Sequence, residues 1–145
     1  MLSVNHYDRA FVDGCRTRVD AQVDAFRDLI AAARDLDPNG DGRLGPAIAT
    51  FEPMFFNNLV LVLDDSFLHR SRQMEGKDGN PLNEVRVLCN SLLNNGGVVA
   101  ADKQIKLDPA TSVLKYAVGD EIALSEGGFV QLAKDFFAEI ERRYP

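Results

Sequence analysis

His69–Ser91 reads HRSRQMEGKDGNPLNEVRVLCNS, and how it divides decides the fold. Gly76-Lys77-Asp78-Gly79-Asn80-Pro81 is a turn built from residues that interrupt regular structure. Asn80 suits a helix N-cap, and Pro81 suits the first helical position, where a missing N–H costs nothing. One helix therefore ends before this turn, and another starts at Pro81. The second runs to about Leu93, with Leu82, Val85, Leu88, Cys89 and Leu92 inward, and Asn94-Asn95-Gly96-Gly97 stops it. The preceding helix is expected from about Pro53 to Met74. Phe55, Phe56, Leu59, Val60, Leu63 and Phe67 follow helical spacing there, and Thr50 stands ahead as a possible cap.

Upstream, residues 4–36 read as one long helix. Val4, Tyr7, Phe11, Cys15, Val19, Val23, Phe26, Ile30 and Ala33 recur at steps of three or four, with Ser3 available as a cap. The other face is Asp and Arg, including Asp13/Arg16 and Asp24/Arg27 at helical-neighbour spacing. A helix of that length overhangs a small domain, so a homodimer formed through it is expected.

Downstream the pattern changes. Lys103–Leu107 alternates polar and apolar residues, as do Leu114, Tyr116 and Val118, then Ile122 and Leu124. Short strands with a hairpin at Gly119-Asp120 are expected near residues 103–124, though Asp108-Pro109 equally suits the start of a short helix. Gly127-Gly128 lead into a last helix ending at Arg143, with Phe129, Leu132, Ala133, Phe136 and Ile140 inward. The expected fold is mainly helical, α+β, with about four helices and a short β segment, in one domain spanning 1–145.

Asp37-Pro-Asn-Gly-Asp-Gly-Arg-Leu44 resembles the calcium loop of EF-hand proteins. Asp37, Asn39 and Asp41 occupy its first three ligand positions, Gly42 its turn and Leu44 its apolar site. The resemblance implies a metal site at Asp37, Asn39 and Asp41. It breaks at the position that normally carries a bidentate Glu, which is Ile48 here. A polar helix-ending turn accounts for the same residues.

The central stretch supplies the other candidate chemistry. Arg70, Arg72, Lys77 and Arg86 are its cations and Glu75, Asp78 and Glu84 its anions, so residues 69–86 carry 4 − 3 = +1 in a chain of net charge −6. Cations beside the N-terminus of the Asn80-capped helix are the parts of an anion or polar-ligand site. The candidate ligand-binding residues are therefore Arg70, Arg72, Lys77, Asn80 and Arg86. The competing expectation is a small enzyme. Asp65 lies one helical turn before His69, and a carboxylate raises a neighbouring imidazole's pKa, so His69, Glu84 and Cys89 can be drawn as an acid–base or thiol site. The alternative for these three is structural: a helix-ending His, a paired Glu and a core Cys. No nucleophile elbow, P-loop or dinucleotide fingerprint supports catalysis, and the sequence leaves any cofactor unknown.

An acidic chain of pI about 4.8 disfavours nucleic acid as a partner. Cys15 and Cys89 belong to no Cys/His cluster, which disfavours zinc and a disulfide framework. The N-terminal residues do not read as a signal peptide, and the run Leu59–Leu63 is too short to span a bilayer, so a cytoplasmic location without membrane contact is expected. The leading function is a cytoplasmic binding or interaction module. Because Ile48 cannot coordinate, calorimetry is expected to find no calcium affinity in the micromolar range or tighter; a micromolar isotherm would restore the metal site.

Overall fold

A computed structural model describes residues 3–145. Five helices follow in order: α1 (Arg9–Asp35), α2 (Leu44–Asp65), the single turn α3 (Arg72–Glu75), α4 (Pro81–Asn94) and α5 (Glu126–Arg143). The mainly helical expectation is met. Helix α2 packs against α1, α4 and α5, while α5 also packs on α1 and α4. Ion pairs Arg16–Glu141 and Arg27–Glu126 show α1 and α5 to be antiparallel.

The core forms where the apolar stripes meet. Val12, Cys15, Val19, Val23 and Phe26 of α1 are buried, as are Phe129, Leu132, Ala133, Phe136 and Ile140 of α5. Phe56 of α2 stands edge-on to Phe26 at 4.8 Å and against Phe129 at 5.5 Å, tying three helices through one ring. Phe67, just beyond α2, meets Phe136 at 5.7 Å and Tyr7 at 4.9 Å.

Three expected boundaries move, each for a local reason. Helix α1 starts at Arg9, because Val4 lies in a parallel bridge beside Arg70. Its N–H donates to the His69 carbonyl and its own carbonyl accepts from Ser71, both at 2.8 Å. Val4 and Tyr7 keep helical spacing but reach the protein from an extended segment, and the N-cap position of α1 falls to Asp8, not Ser3. Helix α2 starts nine residues before the expected Pro53, at Leu44, and places Thr50 inside, with Oγ1 donating to the Pro46 carbonyl at 3.1 Å. It stops at Asp65 instead of running to Met74. The chain turns there to bring Asp64 and Glu75 onto the buried Arg70 side chain from two directions.

The β segment is the main correction. No strand or hairpin forms over 103–124; the described residues hold one isolated antiparallel bridge in this region, Val98 with Glu121. Side chains claim the N–H groups that a ladder would need. Asp102 Oδ1 accepts from Gln104 and Ile105, Asp108 Oδ1 from Ala110, Ser112 Oγ from Lys115, and Glu84 from Val113 and Leu114. The chain does turn at Gly119-Asp120, where Gly119 has φ +96°, but the returning segment lies on Val99 and Gly97.

Asn57 fastens that returning segment to α2. Its amide donates to the Ile122 carbonyl at 2.9 Å and accepts from the Leu124 N–H at 3.1 Å. Asn57→Ala leaves both backbone groups without their partner. It is expected to cost about 1–3 kcal/mol in urea unfolding and to speed hydrogen exchange at Leu124. Unchanged exchange there would show the loop to be held by Ile122 and Leu124 packing alone.

Candidate functional site

The central turn is organised around a carboxylate that lies wholly inside the protein. Ser71 caps α3, its hydroxyl accepting from the Met74 N–H, and the single turn that follows swings Glu75 inward. Glu75 Oε1 accepts from Arg70 Nε at 2.8 Å and Arg86 Nη2 at 2.6 Å. Its Oε2 accepts from Asn83 Nδ2 at 2.8 Å and Arg86 Nε at 3.0 Å. Burial acts to raise the Glu75 pKa. The hydrogen bond from Arg86, the charges of Arg70 and Arg86 and the bond from Asn83 outweigh it, holding the carboxyl below the usual range.

Arg70 is equally enclosed. Its Nη1 donates to Asp64 Oδ1 at 2.8 Å and to the Phe67 carbonyl, its Nη2 donates to the Leu82 carbonyl, and the guanidinium lies 5.6 Å over the Phe136 ring. Two arginines and two carboxylates thus neutralise each other. Asn80 is the N-cap of α4 as the sequence implies, its Oδ1 accepting from the Leu82 and Asn83 N–H groups. Its amide nitrogen donates to the Glu75 carbonyl. Arg143 of α5 donates to that same carbonyl at 2.9 Å and pairs with Asp78 and Glu139. Tyr144 closes the corner by donating its hydroxyl to the Ser71 carbonyl at 2.7 Å, and burial raises its pKa to about 12.

The ligand candidates therefore separate. Arg70, Arg86 and Asn80 are brought together, but their donors are directed at the protein's own carboxylates and carbonyls. Arg72 and Lys77 are exposed. The catalytic candidates do not converge. His69 is exposed on the surface turn. Glu84 is buried and clamps the loop, accepting from the Val113 and Leu114 N–H groups at 2.8 and 2.9 Å. Burial pushes the Glu84 carboxyl up, against the pull of those two bonds. Cys89 is buried with its thiol 3.5 Å from the Val60 carbonyl, and burial raises its pKa far above neutrality, so the nucleophilic thiolate is disfavoured.

Asp37, Asn39 and Asp41 lie in the α1–α2 connection. Ile48, at the position where an EF-hand loop carries Glu, is buried in α2. Among the described residues no three His, Cys, Asp or Glu side chains converge as a metal site requires.

A groove of about 460 Å³ adjoins the central turn. Its walls are Val87 of α4, the chain from Val99 to Leu107, and Val118. Lys103 and Lys106 stand on it, with Asp102 between α4 and the lysines in chain order. It is joined to the turn at Gly79, where an added Cβ would lie 3.2 Å from the Lys106 carbonyl. The Asp102 carboxyl is held down by the Gln104 and Ile105 N–H bonds, with further help from the charges of Arg72 and Arg86. The only sequence sign of this groove was the alternation of Lys103–Leu107, which reads as a strand.

Compared with protein-family models, curated proteins and solved structures, the chain has no match.

The ion cluster makes two expectations. Glu75→Gln or Arg86→Ala is expected to cost about 3 kcal/mol or more, because a buried charge loses its partner. The double change should lose less than the sum of the singles. The pH dependence follows from the lowered Glu75 pKa. Its contribution is complete above the unfolded carboxyl range, about 4.3, and is lost as pH falls through the folded value. Urea unfolding from pH 7 down to pH 3 should therefore show a shallower acid loss in Glu75→Gln than in the parent. An additive cycle with small single effects would mean that water solvates these charges.

Proposed function

We propose that the chain is a cytoplasmic, self-associating binding module that takes a small anionic or polar ligand at the corner formed by the central turn and the loop of residues 99–107. One observation carries the reading: a groove with two lysines on it, Lys103 and Lys106, in a chain of net charge −6. Its apolar lining, half-buried Leu107 and exposed Val118 over the buried Val87, Val99 and Ile105, suits a ligand with a small apolar body and a charged end. Exposed Arg72 lies close enough for its charge to act on Asp102 at the groove. Arg70 and Arg86 contribute indirectly, by fixing the turn on which the loop rests.

Binding is favoured over catalysis because His69, Glu84 and Cys89 occupy three separate environments. A general base must reach the proton that it removes, and no such pair is assembled among them. Nucleic acid remains disfavoured by the overall negative charge. Among the described residues, α2 is the one helix long and apolar enough to cross a bilayer. A soluble reading rests on its buried face, where Phe56, Leu59, Val60 and Leu63 form part of the core.

The test uses 8-anilinonaphthalene-1-sulfonate as an amphiphilic anion, followed by amide chemical shifts. Shifts are expected over residues 99–107 and at Gly79. Lys103→Glu combined with Lys106→Glu should weaken the binding roughly tenfold or more, as loss of charge-assisted hydrogen bonds implies. Shifts confined to another surface, or binding indifferent to both lysines, would overturn the assignment.

A further inference from the structure

The extended segment that precedes α1 is fastened to two distant parts of the chain. Val4 exchanges main-chain hydrogen bonds with His69 and Ser71, and the Tyr7 N–H donates to the Tyr144 carbonyl at 3.2 Å. Between these points the His6 ring is set against two oxygens. Its Nδ1 lies 2.7 Å from the Pro145 main-chain oxygen, and its Nε2 lies 3.0 Å from Asp8 Oδ1. An ionised carboxylate and a main-chain oxygen accept hydrogen bonds and donate none. A neutral imidazole has one N–H and satisfies one such partner; the imidazolium has two and satisfies both. The geometry therefore calls for the charged ring.

Asp8 has a competing set of donors. It is the N-cap residue of α1, yet its side chain makes no cap bond. An Asp in that position ordinarily accepts from the N–H two or three residues on, here Ala10 or Phe11, which have no partner within the helix. The Asp8 side chain is 82% exposed, so burial does not hold it to either choice. The other charged groups around the ring are committed elsewhere. At the start of α1, Arg9 leans toward Asp13. At the end of α5, Glu141 accepts from Arg16, and the Tyr144 hydroxyl donates to Ser71. Across the segment, the guanidinium of Arg70 is taken by Asp64 and Glu75, and His69 meets Val4 through its carbonyl. Among the described residues, Asp8 is thus the carboxylate that answers to His6.

We propose that His6 and Asp8 form a pH-dependent clasp: the protonated ring locks the N-terminal segment to the end of α5, and loss of one ring proton to water frees Asp8 to cap α1. The bond to Pro145, and after it the bond to Asp8, raise the His6 pKa above the ordinary imidazole value of 6.5. What the clasp contributes is complete below that unfolded value and is lost as pH rises through the folded one. This is the reverse of Glu75, whose contribution is lost as pH falls. The clasp and the buried ion cluster meet on the same corner, since Val4 is bonded to the residues on either side of Arg70. Mild acid therefore tightens the outer fastening of this corner while the inner one is still intact.

The test uses the full chain. Both histidine rings are titrated by NMR, and amide exchange is measured from about pH 5.5 to about pH 8.5, the range in which imidazoles change charge. Each rate is corrected for the pH dependence of a free peptide. Protection at Tyr7 is expected to fall about threefold or more with the His6 midpoint, as loss of one hydrogen bond implies. Protection at Ala10 and Phe11 should rise with the same midpoint. His6 and Asp8 are exposed, so their variants should fold as the parent does. His6→Ala should hold Tyr7 at its high-pH level throughout, and His69→Gln should leave the transition in place. Asp8→Asn keeps a side chain able to cap α1 but removes the charge, and should lower the His6 midpoint. Flat protection at Tyr7, a transition that survives His6→Ala, or a His6 midpoint no higher than that of a free peptide would overturn the clasp. Unmoved Ala10 and Phe11 amides beside a responsive Tyr7 would overturn the exchange of partners at Asp8.

Discussion

The burial of Glu75 constrains everything around it. A carboxylate removed from water is costly unless each oxygen finds donors, and Glu75 has four, from Arg70, Arg86 and Asn83. Those donors come from the turn after α2 and from α4. Satisfying one side chain therefore fixes the angle between two helices and the course of the chain between them. The same demand ends α2 at Asp65, since a helix continuing to Met74 would hold Glu75 away from the α4 donors. Arg143 and Asn80 then bind the Glu75 carbonyl, and Tyr144 binds the Ser71 carbonyl, so the end of α5 is secured to the same corner.

This cluster also redirects the functional reading. In sequence, Arg70, Arg72, Lys77 and Arg86 appear as an excess of cations beside a helix N-terminus, which is how an anion site is built. In the fold, the anion is internal. Glu75 occupies the place that a ligand's carboxylate or phosphate would take, with the bidentate Arg86 geometry that such a ligand would recruit. Arg72 and Lys77 stay on the exposed edge of this corner, which meets the loop of residues 99–107 at Gly79.

The segment that follows this loop, residues 108–115, is shaped by a second buried carboxylate. Glu84 has no arginine. It holds the Val113 and Leu114 N–H groups, and in doing so keeps residues 108–115 folded as turns instead of strands. Glu75 and Glu84 lie nine residues apart in one stretch, yet their pKa values move in opposite directions. Guanidinium partners pull the first down, while neutral amides only partly offset burial for the second. Opposite behaviour from one residue type shows how far the surroundings decide the chemistry of this corner.

Local chemistry was legible wherever a segment settles its own conformation. Asn80-Pro81 marked the start of α4, and the stripe Phe129, Leu132, Ala133, Phe136 and Ile140 marked α5, because caps and 3.6-residue periodicity act within a few residues. The middle of α1 was legible for the same reason, while its start was not: Val4 keeps helical spacing but pairs with Arg70, far along the chain. The alternation at 103–124 read as strand, and the competing claims of Asp102, Asp108, Ser112 and Glu84 on its N–H groups depend on tertiary position. By itself the sequence determined four of the helices, the cap at Asn80 and the charge content of the central turn. Only the tertiary structure decided that those charges neutralise each other, that His69, Glu84 and Cys89 stay apart, and that a groove opens beside Lys103 and Lys106, because pairing and burial depend on contacts between residues distant in the chain.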